Sequence, residues 1–139
     1  MRVLFFSSIF PRSWNVTLGI YCLHVCRALL DLGHEVRVVS PKGWMEPRGR
    51  DPRPAHGVDG IPTEYPTYVY PPRVLQSRYD AFMAASSRAA MKRALRQFRP
   101  EAVLSYWAHP DGAVAARFAR AAGIPSGVII GGSDVLVLA

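Results

Sequence analysis

What this chain lacks narrows its class before any motif is read. No apolar run in the 139 residues reaches the roughly 20 that a membrane-spanning helix needs. The start, Met1-Arg2-Val3-Leu4-Phe5-Phe6-Ser7-Ser8, carries a single charge and an apolar core too short for a secretory signal. It reads as a first β-strand, which places the protein in the cytoplasm. Cysteine is scarce: Cys22 and Cys26 stand four apart on an expected helix, a spacing whose backbone geometry disfavours a disulfide. His24 is the only nearby third ligand and projects elsewhere on that helix, so no metal site is expected and the thiols read as buried and inert. Phosphate-cradling loops are missing too. A dinucleotide-binding unit would carry Gly-x-Gly-x-x-Gly after strand one, where this chain has Ser7-Ser8-Ile9-Phe10-Pro11, and no lysine-bearing phosphate loop occurs.

Lysine is almost absent, yet the chain is basic. Seventeen Lys and Arg residues, of which only Lys42 and Lys92 are lysine, give a net charge of +7. Arg88, Lys92, Arg96 and Arg99 form one stripe on the helix expected around 77–99. A solvated helix face is the default reading of such a stripe, and peripheral contact with an anionic membrane surface is the second. Nucleic acid is not expected as a partner, because no recognition motif accompanies the charge.

Half the residues are hydrophobic, enough for one domain with a real core. The apolar segment Arg2–Ser7 reads as a strand covered on both faces. A helix follows over 19–32, with Leu23, Cys26, Leu29 and Leu30 as its core stripe and Gly33 as a left-handed stop. Val36–Val39 is the next strand. From 40 to about 76 eight prolines leave little room for regular structure, although a short strand near 61–65 fits. Gly49–Gly57 reads as a surface loop, and Tyr65, Tyr68 and Tyr70 read as packing residues beneath it or as the lining of a ligand groove. Then come a helix over 77–98 ended by Pro100, a strand Ala102–Tyr106, a helix Asp111–Ala122 stopped by Gly123, and a strand Gly127–Ile130. Alternating strands and helices with short joints predict an α/β, doubly wound, mainly parallel Rossmann-like sheet.

In such a sheet, ligands bind outside the carboxyl ends of the strands. Two strands end in polar loops: Trp107-Ala108-His109-Pro110-Asp111-Gly112, and Gly131-Gly132-Ser133-Asp134. His109, held extended by Pro110, is a candidate acid/base or sugar-hydroxyl donor. Trp107 offers a flat ring on which a sugar can stack, or it simply packs. Asp111 stands where a helix N-cap belongs, and Asp134 caps a turn, accepts bonds from hydroxyls or deprotonates one. Gly19 opens a helix whose N–H groups suit a phosphate.

The loop Phe10-Pro11-Arg12…Leu18-Gly19-Ile20, the segment Leu32-Gly33-His34-Glu35-Val36-Arg37-Val38-Val39-Ser40-Pro41, and the later Tyr106-to-Gly112 and Gly131-to-Val135 motifs together resemble retaining glycosyltransferases of family 4, which have the GT-B fold. The resemblance covers nearly the whole chain. It implies the amino-terminal, acceptor-side Rossmann-like domain of such an enzyme, with a proline-rich insertion at about 40–76 and an early stop at the carboxyl end. It implies transfer of a sugar from a nucleotide-sugar donor, a co-substrate rather than a cofactor, to a sugar or lipid-linked acceptor hydroxyl, without a metal. His109 and Asp134 would then be catalytic, Trp107, Asp111 and Ser133 would bind acceptor, and Gly19 would face the donor phosphates. Two departures stand out: one glycine, Gly19, where relatives often have two, and Gly131 where many have histidine. The family's second, donor-binding domain with its Glu-x7-Glu motif is not in these residues. The chain therefore reads as a fragment or half of a split enzyme, inactive alone. A non-catalytic Rossmann-like module binding a sugar or phosphate is the alternative.

Overall fold

A computed structural model of the chain describes residues 1–46 and 58–132. The expected loop at 49–57, together with Ser133 and Asp134, lies outside the described residues. Five parallel strands form the main sheet: β1 (Arg2–Phe6), β2 (Glu35–Val39), β4 (Thr63–Glu64), β6 (Ala102–Tyr106) and β7 (Ser126–Ile129), in the order β4-β2-β1-β6-β7. A second, two-stranded sheet pairs β3 (Lys42–Gly43) with β5 (Thr67–Tyr68). The described parts of the proline-rich stretch thus hold more regular structure than their composition implies. Its three two-residue strands fit between prolines because each needs few ladder bonds.

Helix α1 (Ile20–Asp31) covers one face of the sheet, and α2 (Tyr79–Gln97) with α3 (Ala113–Ala122) covers the other. The period-two alternation of β1 explains the division. Phe5 points toward Cys22, Leu23, Cys26 and Val38, whereas Leu4 and Phe6 point toward Met83, Met91 and Val114. Burial of Leu4, Phe5 and Phe6 is complete, as expected for a central parallel strand. The core stripe of α1 is Cys22, Leu23 and Cys26. Leu30, in the last turn, is 39% exposed, because the stripe runs past the sheet at that end. Gly33 and Gly123 stop their helices with φ of 81° and 70°, a conformation that costs glycine little.

The chain leaves β1 leftward through β2 to β4, then crosses back through α2 to β6 on the other side of β1. Strand order reverses between β1 and β6. The carboxyl ends of these two strands are therefore the topological switch point, where a doubly wound fold opens a crevice for ligands.

Candidate active site

Two loops meet at that switch point. The loop after β1 runs from Ser7 to Gly19, and the loop after β6 runs from Trp107 to Gly112. Asp111 joins them. Its Oδ2 accepts hydrogen bonds from the Ser8 N–H at 2.9 Å, the Ser8 hydroxyl at 2.9 Å and the Ser7 hydroxyl at 3.3 Å, and the residue is fully buried. The capping role expected of Asp111 is not what the structure shows. Helix α3 starts at Ala113, its N-cap is Gly112, and no side chain caps it; Asp111 sits one residue too early, inside an irregular turn. The carboxylate instead closes the gap between the two strand ends, and bonds of this charge-assisted kind are strong ones.

Trp107 is the conformational outlier of the site. Its φ of 71° and ψ of 140° lie outside the regions that L-residues favour, a cost of order 1–3 kcal/mol. Two backbone bonds hold it there: its N–H donates to the Ile129 carbonyl, and its carbonyl accepts from Gly112 N–H, both at 2.9 Å. The half-buried indole packs beside Tyr106, with ring centroids 6.3 Å apart, and Tyr106 in turn meets Tyr21 of α1 at 4.7 Å. Burial raises the Tyr21 phenol above its ordinary value, with Cys22 and Tyr106 adding to the shift. These rings form an aromatic shelf beside the carboxyl end of β7.

His109 projects from the same loop in the extended conformation expected of it, with φ of −136° and ψ of 133°. Its side chain is half exposed, and Nε2 stands 3.9 Å from Asp80 Oδ1 in the first turn of α2. His109 and Asp111 thus face different neighbours from one short turn.

Gly19 and Gly131 have sharper constraints than their sequence positions suggest. A Cβ on Gly19, which has φ of 63°, would lie 1.9 Å from the Ile9 carbonyl oxygen, so this position accepts only glycine. Gly19 is buried against its own loop and precedes α1 without a side-chain cap. A Cβ on Gly131 would meet Tyr106 Oη at 2.9 Å and Trp107 Nε1 at 3.0 Å. A larger side chain there would have to displace the outer ends of the Tyr106 and Trp107 side chains.

Arg12 carried no role in the sequence reading beyond its place in a motif. It proves to be a fully buried charge linking the ends of β1 and β2: its Nη2 donates to the Ser8 carbonyl at 3.1 Å and the Pro41 carbonyl at 3.4 Å, and its Nε faces Glu46 at 3.0 Å. Burial pulls its pKa below the ordinary value, while Glu46 and Tyr65 oppose that shift. The signal available in the sequence was slight, a lone arginine behind Phe10-Pro11. The tyrosines resolve toward packing: Tyr65 donates to the Pro11 carbonyl at 2.7 Å, and Tyr68 stacks on Tyr70 at 4.6 Å. Cys22 and Cys26 are free and fully buried, and desolvation pushes both thiols up to about 12. Among the described residues, no group of three His, Cys, Asp or Glu side chains is placed to hold a metal.

With this geometry in place, the comparisons decide the family. The glycosyl transferase 4-like domain matches residues 17–135. The chain belongs to that family. A curated relative, the "Putative teichuronic acid biosynthesis glycosyltransferase TuaC" of Bacillus subtilis (strain 168), is 26% identical over 148 residues, covering 99% of this chain. The chain spans 38% of that relative's length. Two solved structures of the C-terminal domain of PF1911 hydrogenase from Pyrococcus furiosus share the fold. They have TM-scores of 0.62 and 0.59, identities of 8% and 11%, coverage of 92% and 91% of this chain, and coverage of 90% and 89% of theirs. At such identities the likeness is one of α/β architecture alone. The reversal of strand order at β1 and β6 marks the edge of this domain where a ligand site is to be sought.

Proposed function

We propose that this domain is the acceptor-binding part of a retaining glycosyltransferase of the GT-B type, in which a nucleotide-sugar donor gives its sugar to an acceptor hydroxyl. The observation that carries the reading is the strained, doubly bonded Trp107 presented at the switch point beside an exposed His109, in a chain of this family. Backbone strain held by the surrounding structure is a mark of functional sites. On this reading the Trp107 and Tyr106 rings stack on the acceptor sugar, and His109 exchanges a proton with the reacting hydroxyl. Asp111 keeps the two loops in register rather than touching substrate. Ser133 and Asp134 stay in the proposal as acceptor-side and catalytic groups on the strength of the motif, and Gly19 as the donor-phosphate approach.

Transfer would need the family's donor-binding partner domain, so we expect negligible turnover from residues 1–139 alone. The test is a transfer assay with the protein carrying that second domain, across a panel of nucleotide-sugars. His109→Ala should lower kcat by about 100-fold, in the range of general acid–base contributions, and Trp107→Ala should chiefly raise KM. Full activity in both variants would sink this assignment of the site.

A second reading is favoured by one feature. Between α2 and α3 lies a groove of about 620 Å³ with an apolar floor that includes Leu95 and Phe118 and a rim of Arg88, Lys92 and Arg117. No described helix is long and apolar enough to cross a membrane. We propose that this basic face touches an anionic lipid surface from the side, at the inner face of a membrane. Co-sedimentation with vesicles rich in anionic lipid, unaffected by replacing Arg88, Lys92 and Arg117 with Ala, would rule the groove out as the contact.

A further inference from the structure

The loop after β1 contains three buried donor nitrogens that make no hydrogen bond, two on Arg12 and one on Trp14. Arg12 spends its Nη2 on two carbonyls and its Nε lies in ion-pair range of Glu46 at 3.0 Å, but neither Nε nor Nη1, both buried, has a hydrogen-bond partner. Trp14 Nε1 is likewise buried and unpartnered. Both groups lie against Tyr65: the Arg12 guanidinium carbon is 5.8 Å from its ring centroid, and the Trp14 ring is 6.2 Å away at a tilt. Lys42 completes the cluster, with Nζ 5.4 Å from the centre of the Trp14 ring. The phenolic proton of Tyr65 is already given to the Pro11 carbonyl.

An unsatisfied buried donor costs about 1–3 kcal/mol, and native proteins keep few of them. Three in one cluster, beside two cations and, among the described residues, a single carboxylate, leave a surplus of donors and positive charge. Water would bring protons of its own into such a place. A group that only accepts is the better complement, and an oxyanion is such a group.

We propose that Arg12, Trp14 and Lys42 form a recognition site for the oxyanion of an acidic sugar, a carboxylate or phosphate carried on the acceptor. Arg12 Nη1 and Trp14 Nε1 donate to its oxygens, and Lys42 supplies the second positive charge. The site stands at the carboxyl ends of β1 and β2, next to the switch point. It rests on the reading of this edge as the acceptor side, but anion binding itself requires no transfer chemistry. Both donors are shielded from solvent, so binding moves the Trp14 ring.

The experiment is a calorimetric or NMR titration of the chain with glucuronate, glucose 1-phosphate, inorganic phosphate and glucose. We expect one of the two acidic sugars to bind at least about ten-fold more tightly than glucose, its identity telling carboxylate from phosphate. Trp14→Phe removes one donor and keeps the ring, and Lys42→Gln removes one charge. Each should weaken that binding by about five- to ten-fold, corresponding to one hydrogen bond, with circular dichroism unchanged. Arg12→Gln should abolish it, but this variant also disturbs the fold and is not relied on alone. Equal binding of glucose and its acidic forms, binding of inorganic phosphate alone, or indifference to both Trp14→Phe and Lys42→Gln would overturn the proposal. Retained anion discrimination in a two-domain protein that transfers no sugar would count against the transferase reading and leave this one standing.

Discussion

The two loops at the switch point are built on opposite plans. The loop after β1 is secured from within. Arg12 bonds to Ser8 and Pro41, Gly19 lies against the Ile9 carbonyl where no Cβ fits, and Arg12 and Asn15 exchange backbone bonds at 3.1 and 3.0 Å. The loop after β6 holds its shape at a cost. Trp107 sits at φ of 71° where glycine would be at ease, and His109 is turned outward. Asp111 couples them, accepting bonds from the first loop while belonging to the second. The difference shows a division of labour: the first wall has a backbone held in place from within, and the second turns an exposed imidazole outward.

The comparison breaks most severely at Gly19. Alanine there meets both an unfavourable φ and a backbone oxygen at 1.9 Å, so Gly19→Ala should destabilise the domain by more than about 3 kcal/mol, measured by urea unfolding. A value under about 1 kcal/mol would show that the loop is not held as described. Asp111→Ala comes next. It strips acceptors from Ser7 and Ser8 in a buried setting, for an expected loss of about 3 kcal/mol. Asp111→Asn, which keeps the shape and part of the bonding, should lose less; equal losses would argue against a charge-assisted tie.

The face beneath the first loop offers a subtler probe through its thiols. Cys22 and Cys26 are raised from an ordinary 9.0 to about 12 in the folded chain. Above pH 9 the unfolded chain releases thiol protons that the folded chain retains. Stability should therefore fall as pH rises from 9 toward 12, and the Cys22→Ala/Cys26→Ala double variant should lose part of that slope. Native thiols should also resist alkylation at neutral pH and react once the chain is unfolded. The smallest effect belongs to the outward wall. His109 is half exposed and its contact with Asp80 spans 3.9 Å, so His109→Ala should change stability by about 0.5 kcal/mol or less. A loss as large as that of Asp111→Ala would make His109 part of the scaffold and dissolve the contrast between the loops.

Legibility in the sequence followed the same division. Strand β1, helix α2, strand β6 and the glycine stops were readable because periodicity and backbone preference are local properties. The polar loops at the strand ends were readable as places. Their contents were less so: Asp111 resembled an N-cap by its distance from a helix start, yet its partners are Ser7 and Ser8, more than a hundred positions away. Arg12 gave no sign of burial, since a charged residue in a loop reads as solvated until three segments close over it. Strand β7 misleads in the opposite direction. Ser126-Gly127-Val128-Ile129 holds no charge, yet it is largely exposed at the sheet edge, while β2, with Glu35 and Arg37, is mostly buried between two neighbours.

By itself the sequence determined the alternation of strands and helices, the right-handed parallel architecture that follows from it, and which loops fall at the carboxyl edge. These rest on near-neighbour sterics and on the cost of exposing apolar periodic faces. Only the tertiary structure decided that Asp111 is a tie and not a cap, that Gly131 lies against the outer ends of Tyr106 and Trp107, and that Arg12 is buried with a donor to spare. Each depends on contacts between distant segments, where hydrogen-bond satisfaction and close packing, rather than local preference, set the outcome.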